Sequence, residues 1–167
     1  NALRLLKLVD KALDFSDIEG AGAGAAREPI DLAAFTAELA GNFRSACDWA
    51  GLNLVVDCPP LAGQLRVNRD IWEKIVLNLL ANAFKFTVEG TIEVRLRAQD
   101  GNACLSVRDT GSGIAESELP HLFHQFHRVA GARAGGSEDM GIGLALVHEL
   151  VQRHGGSIDV QSKPGSG

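Results

Sequence analysis

The chain has 167 residues, 46% of them apolar, and a formal net charge of −5. That is the size of one domain, or of a domain with an arm, and enough to bury a core. The acidic balance lacks the basic footprint that non-specific nucleic-acid binding needs, so no nucleic-acid partner is expected, and no apolar run approaches the roughly 20 residues that cross a bilayer.

Residues 1 to about 17 read as a helix, with Ala2, Leu6, Val9 and Leu13 at helical spacing and Leu5, Leu8, Ala12 and Phe15 widening the stripe. It is either one end of a coiled coil or bundle, or a helix packed on its own domain. The stretch GAGAGAAREP, residues 20–29, is small and apolar-poor and reads as a linker. Asp31 then caps a helix running to about Ala50, with Leu32, Phe35, Leu39 and Phe43 on one face and Gly51 as its stop. LNLVVDC follows as a strand, ended by Pro59 and Pro60. A long helix is expected from about Asp70 to Phe86.

TIEVRLRA alternates, with Ile92, Val94 and Leu96 on one face and Glu93, Arg95 and Arg97 on the other. Asp100-Gly101 is a hairpin turn signal, and ACLSVRD returns as the partner strand. A glycine-rich stretch over residues 110–143 is interrupted by a short helical piece around His121 to Phe126. A last helix spans Leu144 to His154, with Leu144, Val147 and Val151 on one face, and SIDVQS forms a final strand. The order of elements suggests helices layered on one face of a sheet.

Three features put polar residues or glycines where the pattern wants apolar bulk. In IWEKIVLNLLANAFKF, Trp72, Val76, Leu79, Ala83 and Phe86 make an apolar stripe that Leu77, Leu80 and Phe84 extend. Asn78, Asn82 and Lys85 continue the row begun by Ile71 and Ile75. They form either a narrow solvent-facing strip or a polar cleft wall, with amide oxygens for a hard cation and a lysine for phosphate. Asp109 shares a strand face with Leu105 and Val107, so it either caps the turn or accepts from a ligand's exocyclic amine. Gly111 and Gly113 follow it at once. Gly141 and Gly143 stand before the last helix, as an anion site or as an ordinary loop. The chain carries neither a Walker A loop nor a clean dinucleotide fingerprint. The three features occur in the order that would serve metal, adenine and phosphates.

Cys47, Cys58 and Cys104 form an odd set without a Cys-x-x-Cys pair. They read as buried thiols in a reducing compartment, so a cytoplasmic location is expected. A chain that starts at Asn1 without a signal peptide is expected to be cut from a longer protein, whose remainder could carry a membrane anchor.

Over residues 29–167 these motifs resemble the catalytic and ATP-binding domain of sensor histidine kinases, in the superfamily shared with gyrase, MutL and a heat-shock chaperone. NLLANAFKFT is similar to its N box, DTGSGI to the first glycine box, LFHQFHRV to the F box, and GIGLALVHELVQRHGGSIDVQSKPGSG to the second glycine box with its following strand. RLLKLVDKALDFSDIE resembles the end of that family's second dimerisation helix. The resemblance divides the chain into a dimerisation-helix end (1–19), a linker (20–29) and a catalytic domain (30–167). The fold it implies is α+β: a two-layer α/β sandwich of Bergerat type, a mixed sheet with helices on one face, preceded by an N-terminal helix.

The resemblance also implies roles. Asn82 would ligate magnesium, with Asn78 beside it, in place of the glutamate of ATP-hydrolysing relatives. Lys85 would contact phosphates, Asp109 would accept from the adenine amino group, and Gly111 and Gly113 would shape the base pocket. Gly141 and Gly143 would let the lid approach the phosphates, with Leu144 beside them, and Arg128 is a further phosphate candidate. Phe123 and Phe126 would anchor the base of the lid, whereas His121, His124 and His127 are expected neither to bind metal nor to accept phosphate. His148 and His154 read as surface or packing residues.

ATP and Mg2+ are thus the implied cofactors. The implied partners are the phosphoacceptor dimerisation domain of the same protein, a response-regulator receiver domain and a second copy through the N-terminal helix. The acceptor helix is missing, so this chain alone is not expected to autophosphorylate. Asp139 and Met140 stand where a typical second glycine box opens, and a carboxylate there repels phosphates. The chain stops at PGSG, where the family adds another strand, so an unpaired sheet edge is expected. A degenerate regulatory module is the main rival reading, followed by an anti-sigma-type serine kinase and a gyrase-like ATPase. Asn78 argues against the last, since hydrolysis wants a general base there.

Overall fold

In the computed structural model, which describes residues 27–62, 65–124 and 143–167, Glu28 and Pro29 close the expected linker by entering a strand. This strand, β1 (Glu28–Ile30), pairs antiparallel with β3 (Leu65–Val67), and Glu28 faces Val67. Asp31 caps α1 (Leu32–Gly41) as expected, its Oδ1 accepting from the Ala34 N–H at 3.0 Å. The helix expected to continue to Ala50 breaks instead, and α2 (Arg44–Ala50) starts afresh. Gly41 and Asn42 are weak helix formers, and the break lets Phe43 turn fully into the core. Gly51, at φ 73°, ends α2 in the left-handed region that glycine tolerates.

β2 (Leu52–Asp57) leads through β3 into α3 (Arg69–Phe86). Asn68 caps this helix by accepting from the Ile71 N–H at 3.0 Å. The sequence pattern alone did not mark that cap. β4 (Gly90–Gln99) and β5 (Asn102–Asp109) form the expected hairpin, with Asp100 at φ 51° and Gly101 at φ 79°. Its register sets Ile92 opposite Asp109 and Gln99 opposite Asn102. β2 pairs in parallel with β4, so the order β2–β4–β5 makes a mixed sheet.

α1 and α3 cover one face of that sheet. Leu54, Ile92, Val94 and Leu96 meet Leu32, Leu39, Phe43, Val76 and Leu80 in the main core. Each fully buried aliphatic side chain there contributes about 1.5–3 kcal/mol. Arg95 and Arg97 lie exposed on the other face, as the alternation required. The α/β character and the mixed sheet are therefore as expected.

α4 (Gly143–Arg153) packs on α3, where Ile71 and Ile75 meet Leu146, Val147 and Leu150. This corrects the expected stripe, because Leu144 and Val151 are only half-buried. The helix contributes Leu146 and Leu150 to the core instead. SIDVQS is not a strand: β5 has a free edge, but among the described residues the segment exchanges no ladder of backbone hydrogen bonds with it or with any other strand. The helical piece around residues 121–126 is a 3-10 turn at Leu119–His121 followed by turn residues to His124. Among the described residues no helix is long and apolar enough to cross a membrane. Cys47 is buried and Cys58 half-buried, and burial raises the pKa of both thiols, but Cys104 is exposed on the outer face of β5. The expected helix at residues 1–17, and with it Phe126, His127, Arg128, Asp139, Met140 and Gly141, lies outside the described residues.

Candidate functional site

The polar row of α3 lies inward. Asn78 is buried, its Nδ2 donating to the Lys74 carbonyl at 3.0 Å. That leaves Oδ1 facing the start of α4, where a Cβ on Gly143 would lie 3.0 Å from Asn78 Oδ1 and 3.7 Å from Asn82 Nδ2. The structure thus brings Asn78, Asn82 and Gly143 together, and Leu144 is half-buried beside them. The solvent-facing strip is ruled out for Asn78.

Asn82 carries the anomaly of the site. Its Nδ2 is sealed from solvent and has no hydrogen-bond partner among the described residues. An orphaned buried amide costs about 1–3 kcal/mol, which native proteins rarely tolerate without a reason. The two amide atoms differ in chemistry but hardly in shape, and rotating the amide by half a turn presents an oxygen at the same place. An amide oxygen with no donor nearby suits a hard cation. The residues present therefore fit a cation-bearing ligand.

Lys85 lies half-buried in the last turn of α3, with Nζ 5.0 Å from the centre of the Phe86 ring. A cation there also complements the negative end of the helix dipole.

The end of α3 meets the turn that follows β5. The Phe86 carbonyl accepts from the Ser112 N–H at 3.2 Å. A Cβ on Gly111 would lie 2.3 Å from that carbonyl oxygen and 2.8 Å from Asp109 Oδ1, so only glycine fits. Asp109 faces inward with Leu105 and Val107 on β5 and is half-buried. Its Oδ1 accepts from the Gly111 N–H at 2.8 Å. One oxygen thus fixes the turn, as the capping reading held, while the carboxylate keeps acceptor capacity for a ligand donor. Gly113, at φ 65°, passes so near the Lys163 carbonyl that a Cβ would lie 2.1 Å from it. Ser162 Oγ accepts from the Ile114 N–H at 2.9 Å, and the Gly165 N–H donates to the Ser112 carbonyl at 2.7 Å, fastening residues 162–165 to the same turn.

α3 therefore touches both glycine elements, α4 through Asn78 and Asn82 and the 110–113 turn through Phe86. The 119–124 turn adds an aromatic contact that sequence reasoning missed. The Phe123 ring stacks on His148 of α4, with centroids 5.2 Å apart and planes at 26°. His121 and His124 pair with each other at 5.4 Å, and among the described residues no group of His, Cys, Asp or Glu could hold a metal ion. Periodicity marks buried faces, but it carries no signal for a contact between a loop ring and a helix ring.

Residues 67–167 match the family described as histidine kinase-, DNA gyrase B-, and HSP90-like ATPase. Over 170 residues the chain is 34% identical to the sensor histidine kinase TmoS of Ectopseudomonas mendocina, covering 100% of this chain and 17% of that protein. It is 30% identical over 166 residues to the sensor protein SrrB of Staphylococcus aureus, covering 98% of this chain and 28% of that protein. The chain thus spans under a third of either relative. Among solved structures, full-length ShkA in complex with AMPPNP superimposes with a TM-score of 0.78 at 27% identity, covering 98% of this chain and 34% of that one. The mycobacterial sensor histidine kinase MprB does so with a TM-score of 0.65 at 30% identity, covering 77% of this chain and 82% of that one. The resemblance read from the four motifs is borne out. The Asn78 and Asn82 row on α3, faced by Gly143, and the Asp109 turn against which that helix ends lie within the matched region, and the chain belongs to the histidine kinase-, DNA gyrase B-, and HSP90-like ATPase family.

Proposed function

We propose that this chain is the ATP-binding catalytic domain of a two-component sensor histidine kinase. The longer protein would pass the γ-phosphoryl of ATP to a histidine on its dimerisation domain and then to an aspartate of a receiver domain. The observation that carries this reading is Asn82 Nδ2, sealed from solvent beside Gly143 and without a hydrogen-bond partner among the described residues. Asn82, with Asn78, would hold Mg2+ through the nucleotide. The metal would supply charge neutralisation for the phosphates. Asp109 would accept from the adenine amino group, with Gly111 and Gly113 admitting the base. Gly143, Leu144 and Lys85 would border the phosphates, joined by Arg128 and Gly141. The relatives' names and the AMPPNP complex of ShkA support this assignment.

The chain's own contribution is positioning and charge placement, which is most of what phosphoryl transfer asks of a protein. It offers no carboxylate beside Asn82 on the α3 face, since the row there reads Ile71, Ile75, Asn78, Asn82. α3 therefore offers no general base for direct hydrolysis, which favours transfer to an acceptor brought from outside. Residues 1–19 would be the end of the dimerisation helix, joined by the 20–29 linker to the catalytic domain at 30–167, and two copies would meet through that helix.

The test is a calorimetric titration of a non-hydrolysable ATP analogue with Mg2+, with Asp109→Asn as the control, followed by labelling from ATP once a dimerisation domain with its histidine is supplied. Binding that the control weakens about 10- to 100-fold, with acid-labile phosphate on the acceptor, is expected. A folded sample that binds no nucleotide would sink the reading in favour of a degenerate module. Acid-stable phosphate would point to a serine kinase.

A further inference from the structure

At the end of α4 remote from Gly143, one histidine joins three elements. The Asn68 backbone N–H donates to His154 Nε2 at 3.1 Å. Asn68 is itself the buried N-cap of α3, its Oδ1 holding the Ile71 N–H. Arg27, at the entry to β1, donates from Nη2 to the His154 carbonyl at 3.1 Å, and Arg66 of β3 donates to the Arg27 carbonyl at 3.0 Å. α4 is thus fastened at its C-terminal end to the cap of α3. Along its length Leu146, Val147 and Leu150 pack on Ile71 and Ile75, and at its start Gly143 lies against Asn78 and Asn82.

We infer that His154 is a positioning residue for the nucleotide site, acting through α4: as a neutral hydrogen-bond acceptor it holds α4 in the one placement that sets Gly143 against Asn78 and Asn82. This rests on the reading of that site as a nucleotide site.

The chemistry demands the neutral ring. An Nε2 that accepts from a backbone N–H carries no proton, so the ring proton is on Nδ1. Protonation sets two donors against each other, beside the Arg27 guanidinium and at the positive end of the α3 dipole. Burial, and secondarily Arg27, hold the His154 pKa below the ordinary imidazole value. Among the described residues, the other charged groups on the elements that meet there bring no carboxylate that acts on this ring. Arg153 is paired with Glu149 along α4, Arg69 lies over the Phe35 ring, and Asp70 and Glu28 sit on α3 and β1. The sign follows: with a folded pKa below the unfolded one, the unfolded chain takes up the proton first, so this group's contribution falls as pH drops through about 6.5. A packed rod clamped at one end moves as a body, so a shift at His154 reaches the start of α4, where not even a Cβ would fit without crowding Asn78 Oδ1.

The test follows the Asn78 and Asn82 side-chain amide resonances during a pH titration of the nucleotide-free protein, in the wild type, His154→Gln and His154→Leu. Glutamine keeps an acceptor that does not titrate, and leucine removes it. In the wild type both amides are expected to move with the midpoint of the His154 ring itself, and in His154→Gln to stay still. Affinity for the Mg–nucleotide analogue is expected to fall about fivefold between about pH 7.5 and about pH 5 in the wild type, over any change in His154→Gln, the factor that one lost hydrogen bond is worth. His154→Leu should bind weakly throughout, and His154→Gln should restore most of the loss. Amides that titrate alike in wild type and His154→Gln, or that follow a midpoint other than that of the ring, overturn the inference. So does leucine binding as well as glutamine. Absence of nucleotide binding at every pH counts against the proposed function, while the amide titration still decides the role of His154.

Discussion

Gly143 is a glycine because of Asn78: a methyl group on its α-carbon would sit 3.0 Å from Asn78 Oδ1, closer than an ordinary contact. Gly143→Ala gains roughly 0.5–1 kcal/mol of helix propensity, which offsets part of the ~1–3 kcal/mol strain of the added methyl. The melting temperature should therefore move by only a few degrees, roughly as ~1 kcal/mol does in a domain of this size. Binding of the Mg–nucleotide analogue should weaken about tenfold, as ~1.4 kcal/mol of displaced amide implies. Calorimetry and a thermal melt on the same sample check both halves.

Asp109 holds the Gly111 N–H, and the proposed function asks it to accept from a ligand donor as well. Asp109→Asn keeps an oxygen for the first task and loses the charge for the second. The fold should survive, and affinity should fall about 10- to 100-fold, the range for a charge-assisted hydrogen bond of ~1.5–3 kcal/mol. Loss of the fold in this variant would show that the carboxylate is needed for the turn itself.

Gly111 has less room than Gly143, because the atom it would strike is the Phe86 backbone carbonyl, which cannot swing aside. Gly111→Ala should cost about 1–3 kcal/mol of stability as well as nucleotide binding. Urea denaturation compares the two: the midpoint should fall for both and further for Gly111→Ala, whose obstacle is backbone rather than a side-chain amide.

Thr36 and Trp72 give a purely structural counterpart. Trp72 Nε1 donates to Thr36 Oγ1 at 3.0 Å, and Thr36 passes its own proton to the Leu32 carbonyl at 2.7 Å. Thr36→Val keeps the shape and strands a buried indole N–H, at a cost of about 1–3 kcal/mol. Trp49 is 84% exposed and Trp72 only 9%, so a Trp49→Phe background makes the emission report on Trp72 alone. Chemical denaturation in that background reads the loss, and nucleotide affinity should not change.

The legible part of the sequence was the part governed by period and cap. Asp31, Gly51 and the Asp100-Gly101 turn each do locally what their residue type does anywhere, and Ile92, Val94 and Leu96 alternate because one sheet face is covered. The inward row of Asn78 and Asn82 was legible as an inconsistency, polar residues on a buried face, and its cleft reading is the one that the contact with Gly143 favours. Two helical stretches were misread because tertiary packing decided them: Phe43 breaks its helix to reach the core, and Leu146 with Leu150 displaces Leu144 with Val151 as the buried face of α4. SIDVQS has strand alternation, yet a strand is defined by its neighbour, which no residue within the segment encodes. Asn68, Phe123 and His154 act through contacts distant in the chain, to which local pattern is blind.

β2 pairs in parallel with β4, yet β3 and the whole of α3 lie between them in the chain. β4 and β5, by contrast, meet through a two-residue turn. Closing a long crossover is slow, and closing a hairpin is fast. The hairpin carries Asp109, and the crossover carries Asn78 and Asn82. The two halves of the proposed nucleotide site therefore belong to parts of the molecule that assemble at different moments. A nucleotide that spans both halves rewards only the finished site, so in stopped-flow experiments it should slow unfolding and leave the refolding rate nearly unchanged. The ligand then guards a structure that it had no part in building.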